Sequence, residues 1–499
     1  MSELFKQSDG KLSDSRRSSN RSDSRRSSNR SDRSSRLSGS RRSGSRRTSA
    51  VRRFTQKRAR KTIGTFMKKT EHKRKSKFLQ SICSDSGVCI AFGNERSKIL
   101  DFFKGFTDFD YLTNTRTIGS ESANGFVKEF EYEREAYKAY AVLKSSLEKD
   151  SDNLLYEYVV GQVINKYFMK RFPCFVETYG HYKYSYNKRD MFRNAGPGKP
   201  DMNKILIPYD ANYIPIDTSC ESSNDMCILI QHIKGASSIG DKAYNTLSGQ
   251  GKYNNPKKDI NFITNDLLYS LFQVYFPLSH LKDNYTHYDL HGDNVILYKP
   301  VDGKYIQYHY HYLNGEVVTF KSQFISKIID YGRSYFNVSP HEIHPRMKSS
   351  SDYDELLCET PECNNTNEEC GDESGYGWMG GPHSDDRYHI STSLRNMSHD
   401  LRLLAMLNKD WDRTNFQSNR AYVNLQTMLA KVFYEFEFGT PEVVKNKKTS
   451  IIFNVTDAEI AMKLLINNPA QIKANNDYYS KMSKLGDLHI YLDKPMNYK

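Results

Sequence analysis

Tryptophan is almost missing from this chain: 2 Trp stand against 35 Tyr in 499 residues. No apolar run approaches the roughly 20 residues of a membrane-spanning helix, so no membrane span is expected. The N-terminal charges are not followed by the apolar core of a signal peptide. The 8 cysteines show no dense disulfide spacing, which points to a reducing, intracellular compartment. Asn-x-Ser/Thr triplets such as Asn337-Val338-Ser339 are then chance matches. Cys358, Cys363 and Cys370 with His383 have spacings that fit no tight zinc knuckle. Residues 352–386 have no Lys or Arg at all, against 11 Asp/Glu, and read as a mobile acidic loop.

Acidic residues are scarce at the other end. Residues 1–80 hold 26 Lys/Arg and 6 Asp/Glu, a net +20, while the remainder holds 47 and 53. The overall +14 therefore belongs to a tail on a mildly acidic body. Within the tail, the nine residues Ser13–Arg21 recur unchanged as Ser22–Arg30, and a third copy begins at Ser31. So polar a segment cannot bury enough apolar surface to offset ordering the chain, so a disordered basic tail over 1–80 is expected. Its arginines suit contact with a polyanion or nucleic acid. Arg16-Arg17-Ser18-Ser19 equally has the form of a basophilic kinase substrate. Phe54, Ile63, Phe66 and Met67 suggest a short amphipathic helix within 51–78.

Two stretches carry chemistry. In Tyr285-Thr286-His287-Tyr288-Asp289-Leu290-His291-Gly292-Asp293-Asn294-Val295-Ile296-Leu297, an aspartate is followed five positions later by an asparagine that opens an apolar strand. Lys327-Ile328-Ile329-Asp330-Tyr331-Gly332 ends a β-rich run in Asp-aromatic-Gly. Either could be a polar turn, with Asn294 as an Asx-turn residue. Both in order, each tied to a strand, resemble the catalytic loop and metal-binding motif of the protein-kinase superfamily. The resemblance implies Asp289 as the base that accepts the hydroxyl proton. It implies Asn294 and Asp330 as ligands of Mg2+, with Mn2+ as an alternative, and ATP as the phosphoryl donor.

Upstream residues extend the likeness. Thr117-Ile118-Gly119 through Gly125-Phe126-Val127 resembles a glycine-rich phosphate loop, although its middle glycine is missing and Gly119 and Gly125 are six apart. Ile118, Gly119, Gly125 and Val127 would line the nucleotide there. Lys144 ends the alternating segment Ala139–Lys144, in the place of the lysine that grips the α- and β-phosphates. Glu157, on the helix-patterned stretch Leu154–Ile164, is the expected partner of Lys144, with Glu148 as rival. Phe175–Gly180 reads as a strand and 185–225 as an inserted loop. Cys227–Gly235 resembles the strand entering the hinge, which would put adenine against the backbone of Gln231 and Ile233. Asp266–Leu281 is a strongly apolar helix. Asp302-Gly303 and Asn314-Gly315 mark hairpins in a β insertion. Asp400 resembles the aspartate that steadies the catalytic-loop backbone, and helices are expected near 417–436 and 456–467.

These readings combine into an α+β, two-lobed kinase-like fold. A small β-rich N-lobe covers 100–235 and a mainly helical C-lobe 236–470, the latter with a β insertion at about 299–325 and the acidic loop. Residues 471–499 form a C-terminal extension. The insertions and the Ser/Arg tail resemble divergent serine/threonine kinases of large cytoplasmic DNA viruses, iridovirus-type ones in particular, which would place the protein in host cytoplasm or virion. Protein substrates are expected, the chain's own tail among them. Two departures bear on this: Tyr288 replaces the usual arginine, and His291 stands where Ser/Thr kinases place a lysine. There is also no Ala-Pro-Glu. Two alternatives stay open: a small-molecule phosphotransferase of the aminoglycoside or choline type, which shares His-x-Asp-Leu-His-x-x-Asn, and an inactive kinase-fold scaffold or packaging protein. Gly332 speaks against the first and the intact set Lys144, Asp289, Asn294 and Asp330 against the second.

Overall fold

The computed structural model describes residues 82–498, apart from 84–88, 91–92, 94–95, 120–124, 148–152, 210–222, 248–260, most of 340–394, 410–418, 434–450 and isolated positions. These residues belong to one unit, Lys68–Lys499, with Met1–Met67 a separate unit. The basic tail over 1–80, the helix within 51–78, nearly all of the acidic segment and the Cys358/Cys363/Cys370/His383 group lie outside the described residues.

Alternation builds the first sheet. Helix α1 (Arg96–Phe102) precedes a meander of β1 (Leu112–Thr117), β2 (Gly125–Arg134) and β3 (Tyr137–Ser146). Helix α2 (Leu154–Val163) and the strands β4 (Thr178–Tyr184), β5 (Leu206–Pro208) and β6 (Met226–Gln231) follow. The strands pair antiparallel in the order β1-β2-β3-β6-β4-β5. Because side chains alternate across a strand, Phe126, Phe130, Tyr132, Tyr137, Ala139, Ala141 and Leu143 share one face. They are buried there with Phe103, Phe106 and Phe109. Val127, Val142 and Lys144 fall on the opposite face and are only half-buried. One side of the sheet is thus sealed and the other left to build a site.

Two expected features differ. The strand expected over Phe175–Gly180 starts at Thr178, because the backbone before it is engaged elsewhere. Phe175 bridges to Ile328, and Val176 N–H donates to Tyr331 Oη at 2.8 Å. The expected inserted loop at 185–225 holds helices Arg189–Asn194 and Met202–Ile205 as well as β5. Its composition is polar, yet Phe192, Met202, Ile205 and Leu206 are buried in the sealed face. Thr115 and Gly198 also exchange backbone hydrogen bonds of 2.6 and 3.1 Å, which anchor the segment to the sheet edge. Burial of four apolar side chains, at about 1.5–3 kcal/mol each, outweighs the polar composition.

The remaining described elements pack around one helix. Helix α3 (Ile239–Leu247) precedes α4 (Leu268–Leu281), in which 13 residues are buried. A helix apolar on every side belongs in a core. Around it lie β7 (Val295–Tyr298), β8 (Lys304–His311), β9 (Val317–Ser322) and β10 (Ile325–Ile328), with helices α5 (Arg402–Lys409), α6 (Arg420–Leu429), α7 (Val455–Ile466) and α8 (Pro469–Tyr479). The hairpin β8–β9 turns at Gly315, whose φ of +85° suits glycine. Asn454 and Asn468 cap α7 and α8 by accepting backbone N–H groups, with Pro469 at the first position of α8.

The C-terminal residues 471–499 are part of this core. Strand β11 (Ser483–Tyr491) runs parallel to β8, pairing Tyr308 with Leu488. Asp266, just before α4, accepts from Ser322 Oγ at 3.1 Å and from the hydroxyl of Tyr479 on α8. One carboxylate thus ties the β insertion and the C-terminal helix to the central helix. The tyrosine excess is structural too, since among the described residues the eleven largest fully buried side chains are all tyrosines. Tyr132, Tyr156, Tyr275 and Tyr308 donate their hydroxyls to buried carbonyls, so each fills volume without an orphaned polar group.

Candidate active site

The site forms where the open sheet face meets the loops leaving α4 and β10. Lys144, at the end of β3, places Nζ 2.8 Å from Glu157 Oε2 and 3.1 Å from Asp330 Oδ1. Glu157 is 1% exposed on the first turn of α2. A carboxylate so buried requires a charged partner, and Lys144 supplies it. The rival Glu148 lies outside the described residues.

Helix α2 is held close to the sheet by Gly161. A Cβ there would sit 2.1 Å from Thr178 Oγ1, so any larger residue would push α2, and Glu157 with it, off the sheet.

The loop from Tyr285 to Asn294 is fixed from beneath. Tyr285 and Thr286 pair antiparallel with Phe336 and Tyr335. Asp400 then accepts the N–H of His287 at 2.9 Å and of Tyr288 at 3.0 Å, one on each oxygen. Burial pushes the Asp400 carboxyl up to about 7, against the pull of those two donors. Tyr288 has a φ of +62° and is fully buried, with its ring edge-on to His399. Left-handed φ at non-glycine residues costs of order 1–3 kcal/mol and persists where the surroundings over-determine it. Asp330, at φ +67°, is a second such residue in the same site.

His287 links the two loops. Its Nδ1 accepts the Asp289 N–H at 3.2 Å, so Nε2 carries the proton it donates to Ile329 O at 3.0 Å. Burial lowers its pKa, so the ring stays in this neutral form.

Asp289 is gripped on both oxygens. Oδ1 accepts from Arg402 at 2.8 Å, Oδ2 lies 3.7 Å from Arg333, and His291 Nε2 is 3.9 Å from Oδ1. Burial alone would raise its pKa. Arg333 first, then His291 and Arg402, outweigh that and hold the carboxyl below the usual range. Lys144 likewise lowers the pKa of Asp330.

Asn294 donates Nδ2–H to Asp289 O at 2.9 Å, which fixes its amide orientation and turns Oδ1 away from that bond. An amide oxygen and the Asp330 carboxylate are hard oxygen donors of the kind Mg2+ takes, with nucleotide phosphates completing its shell. Among the described residues no cluster of three or more His, Cys, Asp or Glu could hold a metal ion on protein side chains alone. An amide and one carboxylate are two of the oxygen donors that a Mg2+ ion sharing phosphate oxygens would take.

The other residues expected to line a nucleotide lie in neighbouring rows of the sheet. Ile118 N–H donates to Val127 O at 3.1 Å, Val127 pairs with Lys144, and Gln231 pairs with Ala141. Gly119 has φ +71°, Gly125 opens β2, and the tip between them, 120–124, is outside the described residues. Gln231 N–H is committed to Glu177 O at 2.7 Å, and Ile233 is buried just beyond it.

Sequence reading missed Arg333 and Arg402. Each adjoins a recognised residue, one place after Gly332 and two after Asp400, but only the fold shows that both reach Asp289.

No protein-family model and no curated protein matches this chain. A solved Plasmodium kinase domain is similar at 14% identity, over 49% of this chain and 63% of that one, with a TM-score of 0.24. The chain thus spans less than two thirds of that domain, and so slight a likeness carries no argument about function.

Proposed function

We propose that this protein is an ATP-dependent protein kinase that transfers the γ-phosphoryl group to Ser/Thr hydroxyls. The observation that carries the reading is the convergence of Lys144, bridging Glu157 and Asp330, with Asn294 bonded to Asp289. Phosphoryl transfer needs little covalent help from a protein, and depends on position and charge.

Asp289 orients the acceptor hydroxyl and takes its proton as the oxygen bonds to phosphorus. The bond from phosphorus to the β-bridging oxygen breaks, and ADP leaves with that electron pair. Asn294 and Asp330 would hold Mg2+, with Mn2+ as an alternative, supplying charge neutralisation at the phosphates. Lys144 would contact the α- and β-phosphates, Glu157 would hold Lys144, and the turn between Gly119 and Gly125 would cover the phosphates. Adenine would lie against Gln231 and Ile233, beneath Ile118 and Val127. In this reading 100–235 and 236–470 are the two lobes, and the chain's own Arg-Arg-x-Ser segments are among its protein substrates.

The test is the full-length protein with Mg2+, labelled ATP, and a panel of basic and acidic protein substrates and small alcohols. Label on Ser/Thr that disappears in Asp289→Asn and Asp330→Ala, both still folded, supports the reading. Transfer to small alcohols alone would move the protein to the small-molecule phosphotransferases. Undiminished transfer in either variant would remove Asp289 and Asp330 from the site.

A further inference from the structure

His291 stands where the Ser/Thr kinases that this chain resembles place a lysine. His291 Nε2 stands 3.9 Å from Asp289 Oδ1, farther than a hydrogen bond reaches. The contact is made by Arg402 instead, at 2.8 Å, from the first residue of α5.

Arg402 is well placed to be rigid. Its side chain is 12% exposed, and it lies two residues past Asp400, whose carboxylate holds the backbone of His287 and Tyr288. One three-residue segment therefore fixes both the backbone of the loop and the carboxylate it presents. Arg333 and the Asn294 amide approach the other oxygen, at 3.7 and 3.5 Å. The carboxylate plane is set from two sides.

We propose that Arg402 is the positioning residue for Asp289, taking over from α5 the role that a loop lysine would otherwise fill. This rests on Asp289 being the base. Phosphoryl transfer passes through a loose transition state. There the hydroxyl must be aligned early, and its proton leaves late. Alignment is what a guanidinium on Oδ1 provides, and misplacing a reacting group by about 1 Å can cost roughly 100-fold in rate. A lysine at 402 would keep the charge and lose the planar fork.

The experiment compares wild type, Arg402→Met and Arg402→Lys in kcat, in KM for ATP and in the acid limb of the kcat–pH profile. Arg402→Met should lose about 100-fold in kcat at nearly unchanged KM for ATP. Its acid limb should rise toward the ordinary carboxylate range as the neighbouring charge is lost. Arg402→Lys should return that limb toward the wild-type position and recover part of the rate. Arg402→Met within twofold of wild type, or a rate loss that tracks lost thermal stability with an unmoved acid limb, overturns the inference while wild-type transfer leaves the kinase reading standing. A wild type that transfers to nothing in the panel overturns the kinase reading, and this inference with it.

Discussion

Gly292 and Gly240 stand back to back, with the turn before Asn294 resting on the start of α3. A Cβ at Gly292 would lie 2.6 Å from Gly240 Cα, and one at Gly240 would lie 3.0 Å from Gly292 backbone atoms. The obstruction is backbone on both sides, so neither partner can rotate away. Gly292→Ala must therefore shift the segment His291–Asn294 bodily. We expect transfer to fall by roughly 100-fold with a modest loss of stability. Gly196→Ala, where nothing lies within 4 Å, serves as control and should change neither. A Gly292→Ala protein with wild-type kcat would show that the turn has room to spare.

Tyr331 occupies the aromatic place between Asp330 and Gly332, and its hydroxyl is used. It accepts from Val176 N at 2.8 Å and donates to Ile328 O at 2.9 Å, all buried. Tyr331→Phe leaves a buried N–H without its acceptor, at about 1–3 kcal/mol. Urea unfolding should register that loss with little change in slope. No measurable loss would mean that the hydroxyl contributes only volume.

The legible part of this molecule was whatever is written in local spacing. Alternation around Lys144, the apolar helix ending at Leu281, and the Asn-Gly turn at Asn314-Gly315 could all be read from neighbours in the chain. Three things could not. The order of β10 and β4 hid the fact that Phe175 and Val176 serve the loop at Asp330, so the strand boundary shifted to Thr178. The 185–225 segment looked like loop because few of its residues are apolar, yet those few are buried. Arg402 and Arg333 reach Asp289 across 113 and 44 positions of sequence, and no local pattern marks an ion pair at that separation. The same holds for β11, whose parallel pairing with β8 joins residues about 180 apart.

Asp266 gives a prediction about pH. It is fully buried, and burial pushes its carboxyl up to about 6 despite hydrogen bonds from Tyr479, Ser322 and Gln323. Those donors all converge on Oδ1, which leaves Oδ2 to carry a proton. The folded pKa lies above the unfolded value of about 3.9. Between the two, the folded state binds more protons, so the contribution of Asp266 to stability grows as pH falls through about 6 and fades above it. Wild type minus Asp266→Asn, compared by urea unfolding at pH 5 and pH 8, should therefore favour wild type more at pH 5, by on the order of 1–2 kcal/mol. An identical difference at both pH values would show that the carboxyl titrates normally.

Lys144 and Glu157 form one ion pair, yet their removal should have unequal effects. Glu157 has 2% of its side chain exposed, Lys144 22% and Asp330 44%. Lys144→Met deletes the ammonium paired with Glu157 at 2.8 Å and breaks a buried ion pair from one side, a change that typically costs about 3–5 kcal/mol. Glu157→Gln removes the buried charge itself, and its amide oxygen can still accept from Lys144, so the loss should be nearer 1 kcal/mol. In that variant Lys144 keeps Asp330 as an anionic partner at 3.1 Å. The ammonium is then drawn toward the metal-binding carboxylate and away from the phosphates, so KM for ATP should rise and kcat fall by tens-fold in a protein that is still well folded. Thermal unfolding and steady-state kinetics of the two variants separate these effects. If Glu157→Gln were as destabilised as Lys144→Met, or kept full activity, the pair would be a structural tie with no bearing on the nucleotide.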